Sequence, residues 1–419
     1  MNYNYTSKFM TALSLVSVVS SSAFAGGLYL REFGQPSQGT AGAGGNILAE
    51  DASTAFQNPA GVFNLEGDSE WMVTGIVLDS SAKFDADDNN TVIGNNGGDA
   101  GETLFGGALF HARKLNDKWG VAFSLNSVAG SALEYDDGFV GRYTGDQTEL
   151  LTVLFSPSVA YKINDELSVS VGLNAIWGQI ELEAAIPPFV GEAIPARDGR
   201  AKIDDGDDFD VSGRASLLWQ PTDDWRFALT YSGETTLDFD GDLEVTLPGP
   251  GGGVEPPNIA ADVRVVFPTV AAASAMVDLN QNWSLMTRIG WEEWSSLESI
   301  PVSTNAAGAV IPLEWDDVWS VSAGFRYKTT APWTWYGGLA YDSDPGKPET
   351  RVAVLPVDEQ WRLAGGFTYD LNPKRQLGLS LTYVDLGRAR TSVNSPGGQY
   401  SGDFSTNELY ILGVNYGWR

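Results

Sequence analysis

The alternation of connection lengths limits this chain more than any other feature. Fourteen stretches read as strands, at about 71–82, 102–114, 119–133, 149–161, 167–183, 209–220, 225–234, 263–279, 283–297, 315–328, 333–342, 361–370, 376–386 and 409–418. Every second connection is a tight polar turn: Asn116-Asp117, Asn164-Asp165-Glu166, residues 221–224, Asn280-Gln281-Asn282, residues 329–332 and Asn372-Pro373-Lys374. The rest are long, at roughly 83–101, 134–148, 184–208, 235–262, 298–314, 343–360 and 387–408. Short turns at one end and long loops at the other are the pattern of an outer-membrane barrel, turns in the periplasm and loops outside. An even strand number places both termini on the turn side.

The strands carry a period of two. In residues 167–178, Leu167, Val169, Val171, Leu173, Ala175 and Trp177 share one face, and Ser168, Ser170, Gly172, Asn174 and Gly178 the other, with Ile176 the exception. Leu377, Leu379, Leu381 and Tyr383 repeat the pattern, as do Val211, Gly213, Ala215, Leu217 and Trp219. One apolar and one small or polar face suits a strand between lipid and a lumen, and equally a soluble sandwich. The aromatic residues favour the membrane. Trp119, Trp225, Trp283 and Trp333 each follow a short turn, where the inner aromatic girdle belongs. The last aromatic, Trp418, is followed by Arg419, whereas barrel assembly signals usually end on the aromatic itself.

Ahead of the strands lies a different kind of sequence. Lys8, an apolar run over 9–19 and Ala23-Phe24-Ala25 read as a cleavable secretory signal. No other stretch approaches the ~18 apolar residues of a spanning helix. Residues 26–61 are rich in Gly, Ala and Ser and show no lasting period; alone they could not bury a core. They read as a plug that folds inside the barrel. The expected division is signal 1–25, N-terminal hatch 26–65 and transmembrane barrel 66–419, an all-β, 14-stranded antiparallel fold in the outer membrane. The chain has no Cys, which excludes disulfides and thiolate chemistry, and its net charge of −29 argues against nucleic acid as a partner. The acidic runs Asp85, Asp87, Asp88 and Asp204, Asp205, Asp207, Asp208, Asp210 lack the Gly and distal Glu of a calcium loop. They read as solvated loops or as bridges to lipopolysaccharide through divalent ions; no cofactor or specific metal site is expected.

Against this background the residues resemble the FadL family of outer-membrane transporters of hydrophobic compounds. The resemblance rests on Leu30-Arg31-Glu32-Phe33, Ala49-Glu50-Asp51-Ala52 and Asn58-Pro59-Ala60 in the plug. It continues in Phe139-Val140-Gly141-Arg142-Tyr143, Pro157-Ser158-Val159-Ala160-Tyr161, Trp291 to Trp294-Ser295, Tyr341-Asp342-Ser343-Asp344-Pro345 and Leu355-Pro356. It implies a hatch-plugged barrel that captures an apolar ligand at the outer loops. The ligand then passes to a pocket beside the hatch and leaves sideways into the bilayer at a kinked third strand. An apolar solute gains about 0.8 kcal/mol per buried CH₂, so a dry route into the membrane serves it better than a water-filled pore.

The candidate residues follow. Asn58, Pro59 and Ala60 should hold the hatch to the wall. Gly26, Gly27, Leu28, Tyr29, Arg31, Arg351 and Arg362 are the pocket candidates, the arginines either for a ligand carboxylate or as partners of lumen acids. Ile186, Phe189, Val190, Val254 and Ile259 are the capture candidates in two outer loops. Ala129, Gly130 and Ser131 mark the kink, since Gly inside a strand often marks a bend. Asp316 and Gln179 stand where the resemblance leads one to expect basic residues, which keeps neutral hydrocarbons or aromatic compounds open as ligands beside long-chain fatty acids. Partners are the hydrophobic ligand, outer-membrane lipid and lipopolysaccharide, with a monomer expected. A hydrolase would have to use His111, the only His, and no Gly-x-Ser-x-Gly elbow is present. A general porin is argued against by the plug.

Overall fold

The short turns are built from side chains that stand in for backbone. Asn116 Oδ1 accepts from the N–H groups of Lys118 (2.9 Å) and Trp119 (3.0 Å). Asn164 does the same for Glu166 and Leu167, and Asn280 for Asn282 and Trp283. Each Asn thus satisfies the donors of a chain reversal and releases the next strand in register. The computed structural model describes residues 33–419 except 128–129, 189–193, 249–256, 305–307 and 331.

The strands are β1 (Ser69–Ala86), β2 (Thr103–Lys114), β3 (Trp119–Asn126), β4 (Gly130–Glu134), β5 (Gln147–Lys162), β6 (Leu167–Ile186) and β7 (Gly199–Trp219). They continue as β8 (Trp225–Ser232), β9 (Thr235–Thr246), β10 (Ile259–Phe267), β11 (Val270–Asp278), β12 (Trp283–Glu292), β13 (Ser299–Thr304) and β14 (Gly308–Pro312). The last are β15 (Val318–Lys328), β16 (Trp333–Asp342), β17 (Gln360–Asn372), β18 (Arg375–Asp385), β19 (Thr391–Ser395) and β20 (Gly398–Trp418). Antiparallel ladders run from β1 through β2, β3, β5, β6 and β7, then through β8 with β9 and β11 with β10, to β12, β15, β16, β17, β18 and β20. β20 pairs back onto β1 from Trp71↔Trp418 to Ala86↔Gly402, and the sheet closes.

The sheet holds twenty strands, so the expected 14-stranded architecture is corrected. Two of the additional strands arise because expected strands break. The stretch 119–133 divides into β3 and β4, and 263–279 divides at Pro268-Thr269, where Pro has no N–H to donate. The other four, β9, β13, β14 and β19, occupy stretches that read as loops. β9 was hidden by its aspartates; its alternate residues Leu237 and Phe239 are fully buried. β6 and β7 also run on beyond the expected strand ends, pairing as far as Ile186↔Gly199.

Apolar side chains cover the outside, as lipid requires. Val171, Leu173, Leu229, Ile289, Leu363 and Leu381 are each more than half exposed. Trp119, Trp283 and Trp333 lie against Tyr161, Tyr327 and Tyr369 of the neighbouring strands, ring centroids 4.5–4.8 Å apart. They form a belt at the turn end.

Residues 33–65 run through the space that the sheet encloses. They form three single-turn helices, α1 (Gln35–Gln38), α2 (Gly45–Leu48) and α3 (Thr54–Gln57), and a 3-10 turn over Pro59–Asn64. α1 touches β17, β18 and β20; α2 touches β8 and β11; α3 touches β2, β3 and β5. A segment that meets strands all round the circuit fills its interior. The wall makes room with glycine: a Cβ on Gly338 would lie 2.1 Å from the Thr40 carbonyl oxygen. Backbone cannot yield there, so Gly338→Ala should shift the inner segment at about 1–3 kcal/mol. The expected readout is faster protease cleavage within residues 33–65 of the folded barrel. Gly75→Ala, whose Cβ would meet nothing within 4 Å, should leave cleavage unchanged. Equal cleavage in both variants would contradict this packing.

Candidate functional site

Asn58 anchors the inner segment. It is fully buried, and its Nδ2 donates to the carbonyls of Asn46 (2.9 Å) and Leu217 (3.2 Å). Its Oδ1 accepts from Ala60 N (3.1 Å), and Ser168 Oγ on β6 donates to the Ala60 carbonyl at 2.8 Å. Pro59, lacking an N–H, opens the 3-10 turn. These three residues therefore tie the segment both to itself and to β6 and β7.

A second tie lies at the turn end. Glu50 pairs with Arg326 of β15 and with Lys328 Nζ at 2.9 Å, and Arg326 also meets Asp278 at 3.0 Å. Arg226 donates to the carbonyls of Ile47 (3.0 Å) and Leu48 (2.6 Å). Burial works against the Glu50 charge, but the two cations more than offset it and hold its carboxyl below the usual range. Next to it, burial pushes the Asp51 carboxyl up to about 6, although Ser53 donates to it through both N–H and hydroxyl. Both line a charged vestibule of about 610 Å³ facing the turn side, with Lys328, Lys374 and Arg419.

Above the segment, among the described residues, lie two small cavities. A cavity of about 80 Å³ is lined by Phe56 and Gln57 of the inner segment, Leu154 and Asn174 of the wall, and two cations, Arg214 and Arg288. Arg214 donates to Ser156 Oγ at 2.7 Å and to the Phe56 carbonyl; Arg288 donates to Ser320 Oγ at 2.9 Å. A second cavity, about 40 Å³, lies under the outer loops and is apolar, lined by Leu150, Ile180, Val265, Ile300, Val354 and Leu355 among others. Each is a space of water dimensions, too small for a long acyl chain. They are joined by one contiguous apolar cluster. It runs from Trp294, Trp315 and Val352 among the loops, past Leu150 and Leu154, to Phe33, Ala52 and Ala55 of the inner segment.

The wall beside that cluster is interrupted. β2 pairs with β3 only from Leu109↔Leu125 to Lys114↔Gly120. β4 pairs with β5, from Gly130↔Leu151 to Glu134↔Gln147, and meets the β2 side only at the isolated bridge Gly101↔Leu133. Among the described residues, 103–108 of β2 therefore have ladder partners on β1 alone. α3 lies behind this interruption, with Phe56 edge-on to Phe33 at 6.2 Å.

The residues singled out from sequence distribute as follows. Gly26, Gly27, Leu28, Tyr29, Arg31, Ala129, Phe189, Val190 and Val254 lie outside the described residues. Gly130 opens β4 at the wall interruption and Ser131 follows it. Ile186 and Ile259 are not in loops: they end β6 and begin β10, paired with Gly199 and Leu243. Arg362 and Arg351 line neither interior cavity. Arg362 pairs with buried Asp342, and Arg351 grips Asp344 at 2.6 and 2.7 Å. Arg214 and Arg288, which do line the interior, were missed. Arg214 stands on the polar face of β7 with Ser212 and Ser216, and that parity was the available signal. His111 faces Ser69 Oγ at 3.1 Å and lies tilted against Trp71, ring centroids 4.1 Å apart, as one more ring of the aromatic belt.

A closed sheet with a lipid-facing apolar surface, an internal segment and an apolar path past it defines an outer-membrane transport barrel. Residues 16–419 match the model of the family described as outer membrane protein transport protein (OMPP1/FadL/TodX), and the chain belongs to that family. It is 21% identical to a long-chain fatty acid transport protein of Escherichia coli O6:H1, over 96% of each chain. The fold matches a FadL homologue of Pseudomonas aeruginosa with a TM-score of 0.83 at 21% identity, covering 94% of this chain and 99% of that one. It matches the Ralstonia pickettii toluene transporter TbuX with a TM-score of 0.69 at 18% identity, covering 92% and 98%.

The buried Asp51 makes the docking of the inner segment pH-dependent. A carboxyl whose folded value is raised disfavours the docked state once ionised. That penalty is absent below about 3.8, grows as pH rises towards 6, and is constant above; it is on the order of 2–3 kcal/mol. Glu50, shifted the other way, changes only at lower pH. Protection of residues 45–57 against hydrogen exchange, taken relative to the intrinsic exchange rate at each pH, should therefore be greater at pH 5 than at pH 7.5, and Asp51→Asn should flatten the difference in protection. A pH difference in protection that persists in the variant would contradict the assignment to Asp51.

Proposed function

We propose that this chain takes up long-chain fatty acids across the outer membrane. The observation that carries the reading is the continuous apolar cluster that ends beside two guanidinium groups, Arg214 and Arg288, next to the wall interruption at β2. An acyl chain suits the cluster and a carboxylate suits the cations. Ligand captured among the outer loops, with Ile186, Phe189, Val190, Val254 and Ile259 as the capture residues, descends along the cluster. It displaces side chains as it goes, since the cavities are smaller than the cargo. It leaves sideways into the bilayer between β2 and β4 at the kink around 129–131.

In this reading residues 1–25 are the export signal and 26–65 the hatch, with Gly26 to Tyr29 and Arg31 next to the ligand. Residues 66–419 form the barrel, which works as a monomer because a closed sheet leaves no edge to pair. Arg351 and Arg362 brace the loops and wall through their acidic partners. Catalysis forms no part of the reading, and His111→Phe should leave uptake unchanged. The acidic outer strands face lipopolysaccharide.

The test is uptake in a strain lacking its own family members, with a labelled long-chain fatty acid, a long alkane and toluene. The parent chain should import the fatty acid. Arg214→Met with Arg288→Met should lower that uptake about tenfold, the worth of one lost charge-assisted contact. Undiminished fatty-acid uptake in the double variant would remove the carboxylate role. The second reading is a channel for neutral hydrocarbons, favoured by the lining of the outer cavity, apolar but for Thr148; it predicts import of toluene or alkane by parent and variant alike. Asn58→Ala with Pro59→Ala should loosen the hatch and admit large antibiotics. An unchanged exclusion profile would count against the hatch role.

A further inference from the structure

The wall lets go in a second place. β7 keeps its ladder to β6 throughout this region, with Asn174↔Ser212, Ile176↔Asp210 and Gly178↔Asp208. On its other side it pairs with β9 as far as Asp207↔Asp240, and with β8 only from Arg214↔Ser232. Among the described residues, 208–213 face 233–239 with no ladder pair between them. Side chains span the opening instead. Asp208 Oδ2 accepts from Asp238 N at 2.7 Å, and Asp210 Oδ2 accepts from Thr236 N at 2.9 Å. The Thr235 hydroxyl donates to Ser212 Oγ at 3.0 Å, and one backbone bond, Gly233 N to Gly213 O at 2.8 Å, closes the lower end.

A β-ladder is normally closed by backbone, because side-chain contacts are individually breakable and the ladder is cooperative. Two carboxylates that take over its acceptors make this seam the part of the wall between β7 and β9 that can part without unzipping either strand from its other neighbour. The surroundings suit an apolar passenger. On the lipid side Phe209 and Val211 are 57% and 44% exposed. On the lumen side Leu237 and Phe239 are buried and lean over Gly178, where a Cβ would lie 2.6 Å from Leu237 Cδ1. The cavity that holds Arg214 and Arg288 reaches the seam at Arg214 and Ser232, the first ladder pair below it, and reaches Phe56 and Leu154 on its far side.

We propose that the seam between β7 and β9 is a second lateral gate, bolted by Asp208 and Asp210. Through it an apolar ligand passes between the Arg214 cavity and the bilayer, on a different side of the barrel from the β2 interruption. The ligand class is that of the uptake function above, on which this inference rests. The gate itself is a property of the wall and is testable without uptake.

The chain has no Cys, so an engineered pair is unambiguous. Ser212→Cys with Thr235→Cys replaces two oxygens 3.0 Å apart, within reach of a disulfide. In cells of the uptake strain, oxidation of this pair should lower import of a labelled long-chain fatty acid at least threefold, and reductant should restore it, which also shows that the barrel is folded. Undiminished import by the oxidised protein would overturn the gate as a transport route. Failure of the reduced protein to import any compound would instead speak against the uptake reading. The gate is then decided in lipid nanodiscs by alkylation of Thr235→Cys with an apolar, lipid-dissolved maleimide. Adding Asp208→Ala and Asp210→Ala should speed labelling at least threefold; equal rates with and without the two carboxylates would overturn the proposal.

Discussion

Inside a bilayer no water meets a backbone N–H or C=O, so each strand must find a neighbour on both sides. This requirement closes β20 onto β1 and makes the wall continuous. Closure then creates an interior that must be either wet or filled. Residues 33–65 fill it, held by the Asn58 side-chain amide, which donates to two carbonyls, by the Glu50 cluster and by wall glycines that leave room for backbone. A sealed barrel that must nonetheless pass cargo has to concentrate its weakness somewhere. Backbone pairing is given up at β2 opposite β4 and at β7 beside β9, two of the places where the ladder is interrupted among the described residues.

The interior shows the same division between sealing and passage. Charge gathers at the vestibule on the turn side, where Glu50, Arg326 and Lys328 fasten the segment. Apolar side chains form the continuous cluster on the loop side, with small cavities beside it. Cargo that follows the cluster must separate well-packed side chains, which costs little when the cargo is itself apolar and replaces the contacts it breaks. A polar solute would have no such compensation.

Much of this was legible in the sequence. The Asn turns, the Trp belt and the alternating faces are local features, and local features are what periodicity reports. The Asn-Pro-Ala turn was legible for the same reason, since Asn58 and Pro59 act on their own neighbours. β9 was not, because aspartates at alternating positions imitate a solvated loop while Leu237 and Phe239 turn inward. β10 and β11 read as one strand because a single Pro does not interrupt apolar alternation. The roles of Arg351 and Arg362 depended on partners such as Asp344 and Asp342, and proximity to a motif says nothing about which acid an arginine will meet. Arg214 and Arg288 stand on inward faces, where a lone cation among small residues does not disturb the period of two. Both wall interruptions are relations between strands far apart in the chain, visible only once the registers are known.

The central claim is that cargo moves through the apolar cluster and out through the wall, not through the charged vestibule. A long-chain fatty acid carrying a terminal diazirine, photolysed on the barrel in lipid nanodiscs and mapped by mass spectrometry, tests it directly. Adducts should fall on Leu150, Leu154 and Phe56 and on the strand edges at Leu104 and Ala108. Adducts concentrated on Glu50, Lys328 and Lys374, with the cluster unlabelled, would place the route through the vestibule and contradict the account.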